Sequence, residues 1–111
     1  MKWQIKYYNQ KLENKILSLP DGLLARYLRL TDLMLDLGPN LGLPHTKSIE
    51  NGLLELRVKS KEGIARIFFC TRVGKKIIML HSFIKKSQKT PKKEIKIAKI
   101  RMKEVMENDT R

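Results

Sequence analysis

The sequence has few cysteines and histidines, and this shortage excludes several kinds of site. Cys70 is the only cysteine, so an internal disulfide is excluded. Its place in the apolar run ARIFFCT favours a small buried residue over a catalytic thiol. His45 and His81 lie far apart in the sequence, and no Cys or His cluster accompanies them. We therefore expect neither a metal ion nor a cofactor.

Long apolar runs and common catalytic motifs are also missing. No run approaches the ~20 apolar residues of a membrane span, and the first ten residues, MKWQIKYYNQ, lack the apolar core of a signal peptide. Walker-type glycine loops, nucleophile elbows and paired carboxylates are absent from the sequence. The 111 residues, 41% of them hydrophobic, suit one domain over residues 1–111. We expect a soluble, cytoplasmic protein.

Acidic residues are scarce, and the resulting positive charge is uneven. The chain holds 24 Lys and Arg against 11 Asp and Glu, a net charge of +13. Residues 1–55 carry a net charge of +1, and residues 56–111 carry +12. This asymmetry indicates that the second half contacts a polyanion. Nucleic acid is the leading candidate, and an anionic membrane surface or an acidic protein would also fit.

Apolar spacing divides the first half into a strand, two helices and a loop. The alternation in WQIKYY predicts a strand over Trp3–Tyr8. KLENKILSL predicts a helix over Lys11–Leu19, and a second helix follows over about residues 20–37. Gly38-Pro39 is a stop signal. The segment PNLGLPHTKSIENG, rich in proline and glycine, is interpreted as a loop.

Three strands and a helix are predicted for the second half. GLLELRVKS, GIARIFFCT and KIIMLHSFI are strand-like, with a hairpin turn at residues 72–75. The third is apolar on both faces, which predicts a central strand. PKKEIKIAKIRMKEVME predicts a final helix with Thr90 as its N-cap. The order β-α-α-β-β-β-α predicts an α+β fold, with an antiparallel sheet and helices packed on one face.

Two arginines stand inside the predicted sheet. Arg57 lies in LLELRVK, and Arg66 lies in GIARIFF. In one interpretation both simply point to solvent, because arginine is seldom buried unpaired. In the other, helices cover one face of the sheet and the open face presents guanidinium groups to phosphates, which suit the planar fork of arginine.

The end of the third predicted strand carries a second set of candidates. His81, Phe83 and Lys85 follow Met79 in strict alternation, which predicts that they share one face. A histidine can transfer protons near neutral pH, and an aromatic ring beside cations can stack on a base. The alternative is that His81 is a hydrogen-bonded core residue and Phe83 a core residue. Arg, Lys and His together suit phosphodiester chemistry without a metal, in which RNA supplies its own 2′-hydroxyl.

The second half resembles a known family. GLLELRVKSKEGIARIFF and KKIIMLHSFIKKSQKTPKKEIKIAKIRM resemble the phage-derived HigB-like toxins of the RelE/ParE superfamily. Those proteins typically show G-L-x-E-L-R, then G-x-x-R-x-x-[FY], then L-H-x-F-x-K-K-x-Q-K-T-P-x-x-E-I-x-x-A. The match runs from Gly52 to about Arg101, while the first half fits by element order. The resemblance implies a RelE/ParE-like fold.

The resemblance also implies a function and a set of partners. It implies the toxin of a type II toxin–antitoxin pair that cleaves mRNA on the ribosome without a metal or cofactor. Its partners would be a helix-turn-helix antitoxin, mRNA and the ribosome, with no membrane. Two alternatives remain, a non-catalytic growth inhibitor like the ParE-type gyrase poisons and a plain RNA-binding protein.

Site residues follow from the same resemblance. Arg66 would stabilise the phosphate, Arg57 would position it, and His81 is a candidate for proton transfer. The residues expected to bind RNA are Phe83, Lys85, Lys86, Gln88, Lys89, Lys92 and Lys93. Many RelE-like proteins use a tyrosine near the C-terminus, and no tyrosine follows Tyr27 here. The resemblance therefore leaves the general acid and base unassigned.

Overall fold

The structure is a computed structural model, and it describes residues 2–85 and 91–109. This part of the chain contains five strands and three helices. The predicted α+β class is confirmed. The elements in chain order are β1 (Gln4–Tyr7), α1 (Gln10–Leu17), α2 (Asp21–Leu37), β2 (Thr46–Glu50), β3 (Leu53–Ser60), β4 (Gly63–Arg72), β5 (Lys76–Ile84) and α3 (Lys92–Asp109).

The first two helices begin and end where the local chemistry dictates. The Asn9 side chain accepts a hydrogen bond of 2.8 Å from the backbone N–H of Leu12 and so caps α1. Helix α2 starts after Pro20 and ends at Gly38, whose φ of 103° favours glycine. The apolar stripe of α2 is buried against the sheet and consists of Leu23, Tyr27, Leu30 and Met34.

The sheet is mixed, with strand order β1-β5-β4-β3-β2. Strands β3, β4 and β5 form the expected antiparallel meander, and β5, which was predicted to be central, is an interior strand next to the middle strand β4. The prediction of a wholly antiparallel sheet is wrong at one edge, because β1 pairs with β5 in parallel. Helices α1 and α2 lie between β1 and the meander in the sequence, and such a connection allows parallel pairing.

An additional strand, β2, occupies part of the segment that was expected to be a loop. Thr46–Glu50 pairs antiparallel with β3 at the edge of the sheet. The connecting turn holds Asn51 and Gly52 with φ values of 46° and 90°. An Asn-Gly pair with positive φ at both positions is a strong hairpin signal. The strand escaped prediction because most of its side chains are at least partly exposed.

Helices cover both faces of the sheet, which corrects the prediction that they pack on one face. Helices α1 and α2 bury one face, with Leu56, Ile67 and Met79 in that core. Helix α3 packs on the other face through Ala98 and Met102. The reason is that β4 and β5 are apolar on both sides, so each face needs a cover.

A β-bulge in β5 changes which face its last residues occupy. In the register of β4 and β5, Phe68 lies opposite His81 and Phe69 lies opposite Met79. Leu80 is therefore an extra residue of β5 with no residue of β4 opposite it. Met79 therefore faces α1 and α2, whereas Leu80 packs with the α3 core. The expectation that Met79 and His81 share one face is wrong for this reason. The bulge places His81 beyond Leu80 on the α3 side of the sheet.

Candidate nucleic-acid interface

The candidate site lies on the α3 side of the sheet, where three cross-strand rows meet. The strand register places one row through Lys47, Glu55, Phe68 and His81. The next row runs through Arg57, Arg66 and Phe83. The third holds Lys59 and Ile64, and the backbone N–H of Lys85 donates to Ile64 over 2.7 Å. Cross-strand neighbours on one face interact directly, so these rows form one continuous surface.

A buried ion pair lies at the centre of this surface. The guanidinium Nη1 of Arg66 donates to Glu55 Oε1, and the two residues are 3% and 1% exposed. Arg66 therefore does not point freely to solvent, as the simpler interpretation of the sequence required. Its Nε is buried without a hydrogen-bond partner among the described residues. An unsatisfied buried N–H of this kind costs about 1–3 kcal/mol and would be satisfied by an oxygen acceptor.

Two more exposed cations flank the ion pair. Arg57 and Lys85 are both partly exposed. Desolvation lowers the pKa of Lys85 from its ordinary value of 10.5, and the nearby charges of Arg66 and Arg57 lower it further. Lys47 on β2 adds a smaller effect in the same direction. The cations thus lie close enough to repel one another, and an anion bound among them would relieve that repulsion.

His81 is held between an aromatic ring and a carboxylate. Its Nε2 lies 2.7 Å from Glu94 Oε2 on α3, and its ring stacks on Phe83 with a centroid distance of 6.3 Å. Burial lowers the pKa of His81 below 6.5, although Glu94 acts in the opposite direction. A neutral imidazole therefore donates its Nε2–H to Glu94 near neutral pH. This matches the interpretation of His81 as a hydrogen-bonded core residue.

Phe83 is half-buried beside the cations. Its ring stacks on Phe68 with a centroid distance of 5.8 Å and an interplanar angle of 26°. Phe83 also lies directly across the strand pair from Arg66. The ring is therefore fixed in place next to the guanidinium group, as a stacking platform for a base requires.

The remaining candidates belong to the start of α3 and the segment before it. Lys92 and Lys93 are exposed in the first turn of α3. The candidates Lys86, Gln88 and Lys89 lie outside the described residues, as does the expected N-cap Thr90. Two cations at a helix N-terminus oppose the helix dipole at a cost of about 0.3–1 kcal/mol each. Their position is thus unfavourable for the helix and favours a role in binding.

Three residues of the site were missed by sequence reasoning. Glu55 belongs to the ELR stretch and lies diagonally across from Arg66, so its carboxylate was a signal for an ion pair. Lys47 was assigned to a loop. Glu94 reaches His81 only because α3 crosses this face of the sheet, and the sequence gives no direct signal for that contact.

Residues 2–85 and 91–109 contain neither a metal-binding cluster nor a helix that could cross a membrane. No group of three or more His, Cys, Asp or Glu side chains there could hold a metal ion. None of the helices in this part of the chain is long and apolar enough to cross a membrane.

The fold is that of the RelE proteins. A chain in the crystal structure of the archaeal RelE–RelB complex from Pyrococcus horikoshii OT3 superimposes with a TM-score of 0.54. The alignment covers 76% of this chain and 96% of that chain, at 19% sequence identity. At this identity the likeness establishes the fold.

The family follows from the sequence comparison. The model of the family described as phage derived protein Gp49-like (DUF891) matches residues 14–103. The chain therefore belongs to the Gp49-like family. A search of the curated proteins found no match.

Proposed function

We propose that this chain is the toxin of a type II toxin–antitoxin pair, a HigB-like endoribonuclease that cleaves mRNA on the ribosome without a metal ion. The observation that carries the proposal is the group of cations on one sheet face, Arg57, Arg66 and Lys85, beside the fixed ring of Phe83. Membership of a phage-derived family and the RelE-like fold support it.

The cations suit the binding of one phosphodiester group. Arg57 and Lys85 are the partly exposed members, and we assign them the direct contacts with the phosphate oxygens. Arg66 lies between them, and Glu55 holds it in place. Arg66 is only 3% exposed, so we assign it a contribution through its positive charge and leave the direct contacts to Arg57 and Lys85. The combined positive charge stabilises the additional negative charge that develops on phosphorus.

The reaction needs no nucleophile from the protein. The 2′-oxygen of the ribose attacks the adjacent phosphorus, the bond from phosphorus to the 5′-oxygen breaks, and a 2′,3′-cyclic phosphate forms. Lys85 donates a proton to the leaving 5′-oxygen, since its lowered pKa makes it a stronger acid than an ordinary lysine. His81 remains the candidate base that accepts the proton of the 2′-hydroxyl, because its lowered pKa keeps it neutral, although only 8% of it is exposed.

The surroundings of the cations suit a single RNA strand on the ribosome. Phe83 stacks on a base next to the cleaved bond. Neighbouring phosphates bind to Gln88 and to the lysines around the start of α3, which are Lys86, Lys89, Lys92 and Lys93. The cytoplasm, where mRNA is translated, is the compartment that this function requires.

A helix-turn-helix antitoxin is the partner that we propose. The archaeal chain of similar fold comes from a RelE–RelB complex, that is, from a complex with a second protein. Repulsion among the clustered cations also favours a partner that brings carboxylates to this face. Co-expression of a cognate helix-turn-helix antitoxin should abolish the growth arrest described below.

Induced expression in a bacterium tests the proposal. The wild-type chain should arrest growth and stop protein synthesis within minutes, while DNA synthesis continues. Arg57→Ala and Lys85→Ala should both relieve the arrest. Lys76→Ala is the matched control, because it removes one exposed positive charge at the opposite end of β5. An arrest in which DNA synthesis stops first would favour the gyrase-poison alternative, and normal growth would favour plain RNA binding.

A further inference from the structure

A second cationic cavity lies beside the candidate site, at the edge of β3. Its volume is about 220 Å³, and its walls are Arg26, Pro44, His45, Arg57, Lys59 and Ile64. A water molecule occupies roughly 30 Å³ of liquid, so the cavity has room for a phosphodiester group and several waters. Three of the six walls carry a positive charge, and none carries a negative charge.

The fold brings these walls together from three elements and one loop. Arg26 comes from α2, Arg57 and Lys59 come from β3, and Ile64 comes from β4. His45 precedes β2, and its carbonyl accepts a 2.8 Å hydrogen bond from the backbone N–H of Arg57. The cavity opens there because β2 begins at Thr46 and leaves the rest of the β3 edge uncovered.

Partly buried hydrogen bonds fix the loop that supplies His45. Thr46 is 1% exposed, and its hydroxyl donates to Asn40 Oδ1 over 2.9 Å and accepts from the Gly42 backbone N–H over 2.8 Å. The His45 backbone N–H donates to the Gly42 carbonyl over 3.0 Å. The wall is therefore preformed, as small-ligand sites usually are.

The positive charges of the cavity, on Arg26, Arg57 and Lys59, have no ion-pair partner among the carboxylates that the structure describes. Three cations around one cavity repel each other, and an anion within it would offset that repulsion. Arg57 lies between this cavity and Lys85, so a single polyanion can contact both groups of cations.

We propose that this cavity is a second phosphate site, which receives a backbone phosphate of the same RNA strand, next to the phosphate held over Arg66 and Lys85. The inference rests on the proposed function and adds Arg26, His45 and Lys59 to the RNA-binding residues. The strand would then run across β5, β4 and β3, and its path would end at the sheet edge where β2 begins.

Binding of a non-cleavable oligonucleotide tests this site. The probe is a fluorescent 2′-O-methyl hexanucleotide, titrated by anisotropy at several salt concentrations. Lys59→Ala and Arg26→Gln should each weaken binding by roughly tenfold, the effect of one charge-assisted hydrogen bond. Each should also reduce the salt slope by about 0.7, the value for one phosphate on a single strand. Arg26→Lys should restore much of the slope, and Lys76→Ala should change little.

The outcomes separate this inference from the proposed function. Loss of binding in Lys85→Ala, with unchanged binding in Lys59→Ala and Arg26→Gln, would overturn the second site and leave the proposed function standing. The opposite pattern would support the cavity as a phosphate site and count against the proposed catalytic cations. A wild-type chain that does not bind the hexanucleotide would overturn the second site. The growth assay would remain the test of the proposed toxin function.

Discussion

Mutations in the Glu55–Arg66 ion pair allow the contribution of Arg66 to folding stability to be measured separately from its contribution to activity. Both side chains are almost fully buried, at 1% and 4% exposure. Removal of one partner of such a buried ion pair costs about 3–5 kcal/mol, whereas replacement of both by apolar residues of similar volume is often neutral. Glu55→Leu and Arg66→Met should therefore each destabilise the protein by about 3–5 kcal/mol.

The double variant is the informative one. Glu55→Leu combined with Arg66→Met should recover most of the lost free energy of unfolding, with a coupling of at least about 3 kcal/mol. Domains of this kind are stable by about 5–15 kcal/mol, so urea titrations can measure all four members of the cycle. The double variant should fold but should not arrest growth, because Arg66 is needed at the phosphate.

Arg57→Met is the control for this cycle. Arg57 lies directly opposite Arg66 in the register of β3 and β4, but it is partly exposed. Its replacement should change the free energy of unfolding by no more than about 0.5–1 kcal/mol. Additive effects of the two single variants, with a coupling below about 0.5 kcal/mol, would refute the buried ion pair.

Three further predictions concern the residues around the site. Because burial lowers the pKa of His81 below its unfolded value of about 6.5, the unfolded chain gains a proton first as the pH falls. Stability should therefore fall as the pH is lowered through the unfolded value of about 6.5. In urea titrations His81→Gln should flatten this dependence, and Glu94→Gln should steepen it, because Glu94 raises the pKa. Arg101 donates to a backbone carbonyl of β5 over 2.8 Å, so Arg101→Ala should cost about 1–3 kcal/mol in the same assay, against less than about 0.5 kcal/mol for the exposed Lys103→Ala. Cys70 is 1% exposed, so a thiol reagent should modify it only after unfolding, and rapid reaction of the native protein would contradict the buried assignment.

Local patterns predicted the meander and the last helix well. Strands β3, β4 and β5 alternate or are continuously apolar, and these patterns depend on neighbouring residues alone. The stripe Ile95, Ala98, Met102 and Val105 of α3 packs on the sheet. The α+β class was therefore accessible from the sequence.

Features that depend on distant residues were not predicted. The parallel pairing of β1 with β5 joins residues more than 70 positions apart, as in Gln4 with Lys76. The bulge at Leu80 follows from the register against β4 and is invisible in an apolar run. The position of α3 on the second face decides that His81 meets Glu94. The sequence therefore indicated the candidate cations, while their burial and partners required the fold.

Mapping of mRNA 5′ ends tests the central claim most directly. The wild-type chain, Lys85→Ala and the control Lys76→Ala would each be induced briefly in a bacterium, and the 5′ ends of all mRNAs would be sequenced. The proposed function predicts new ends within translated codons for the wild type and Lys76→Ala, and their loss in Lys85→Ala. Growth arrest with intact mRNA would contradict the assignment as an endoribonuclease.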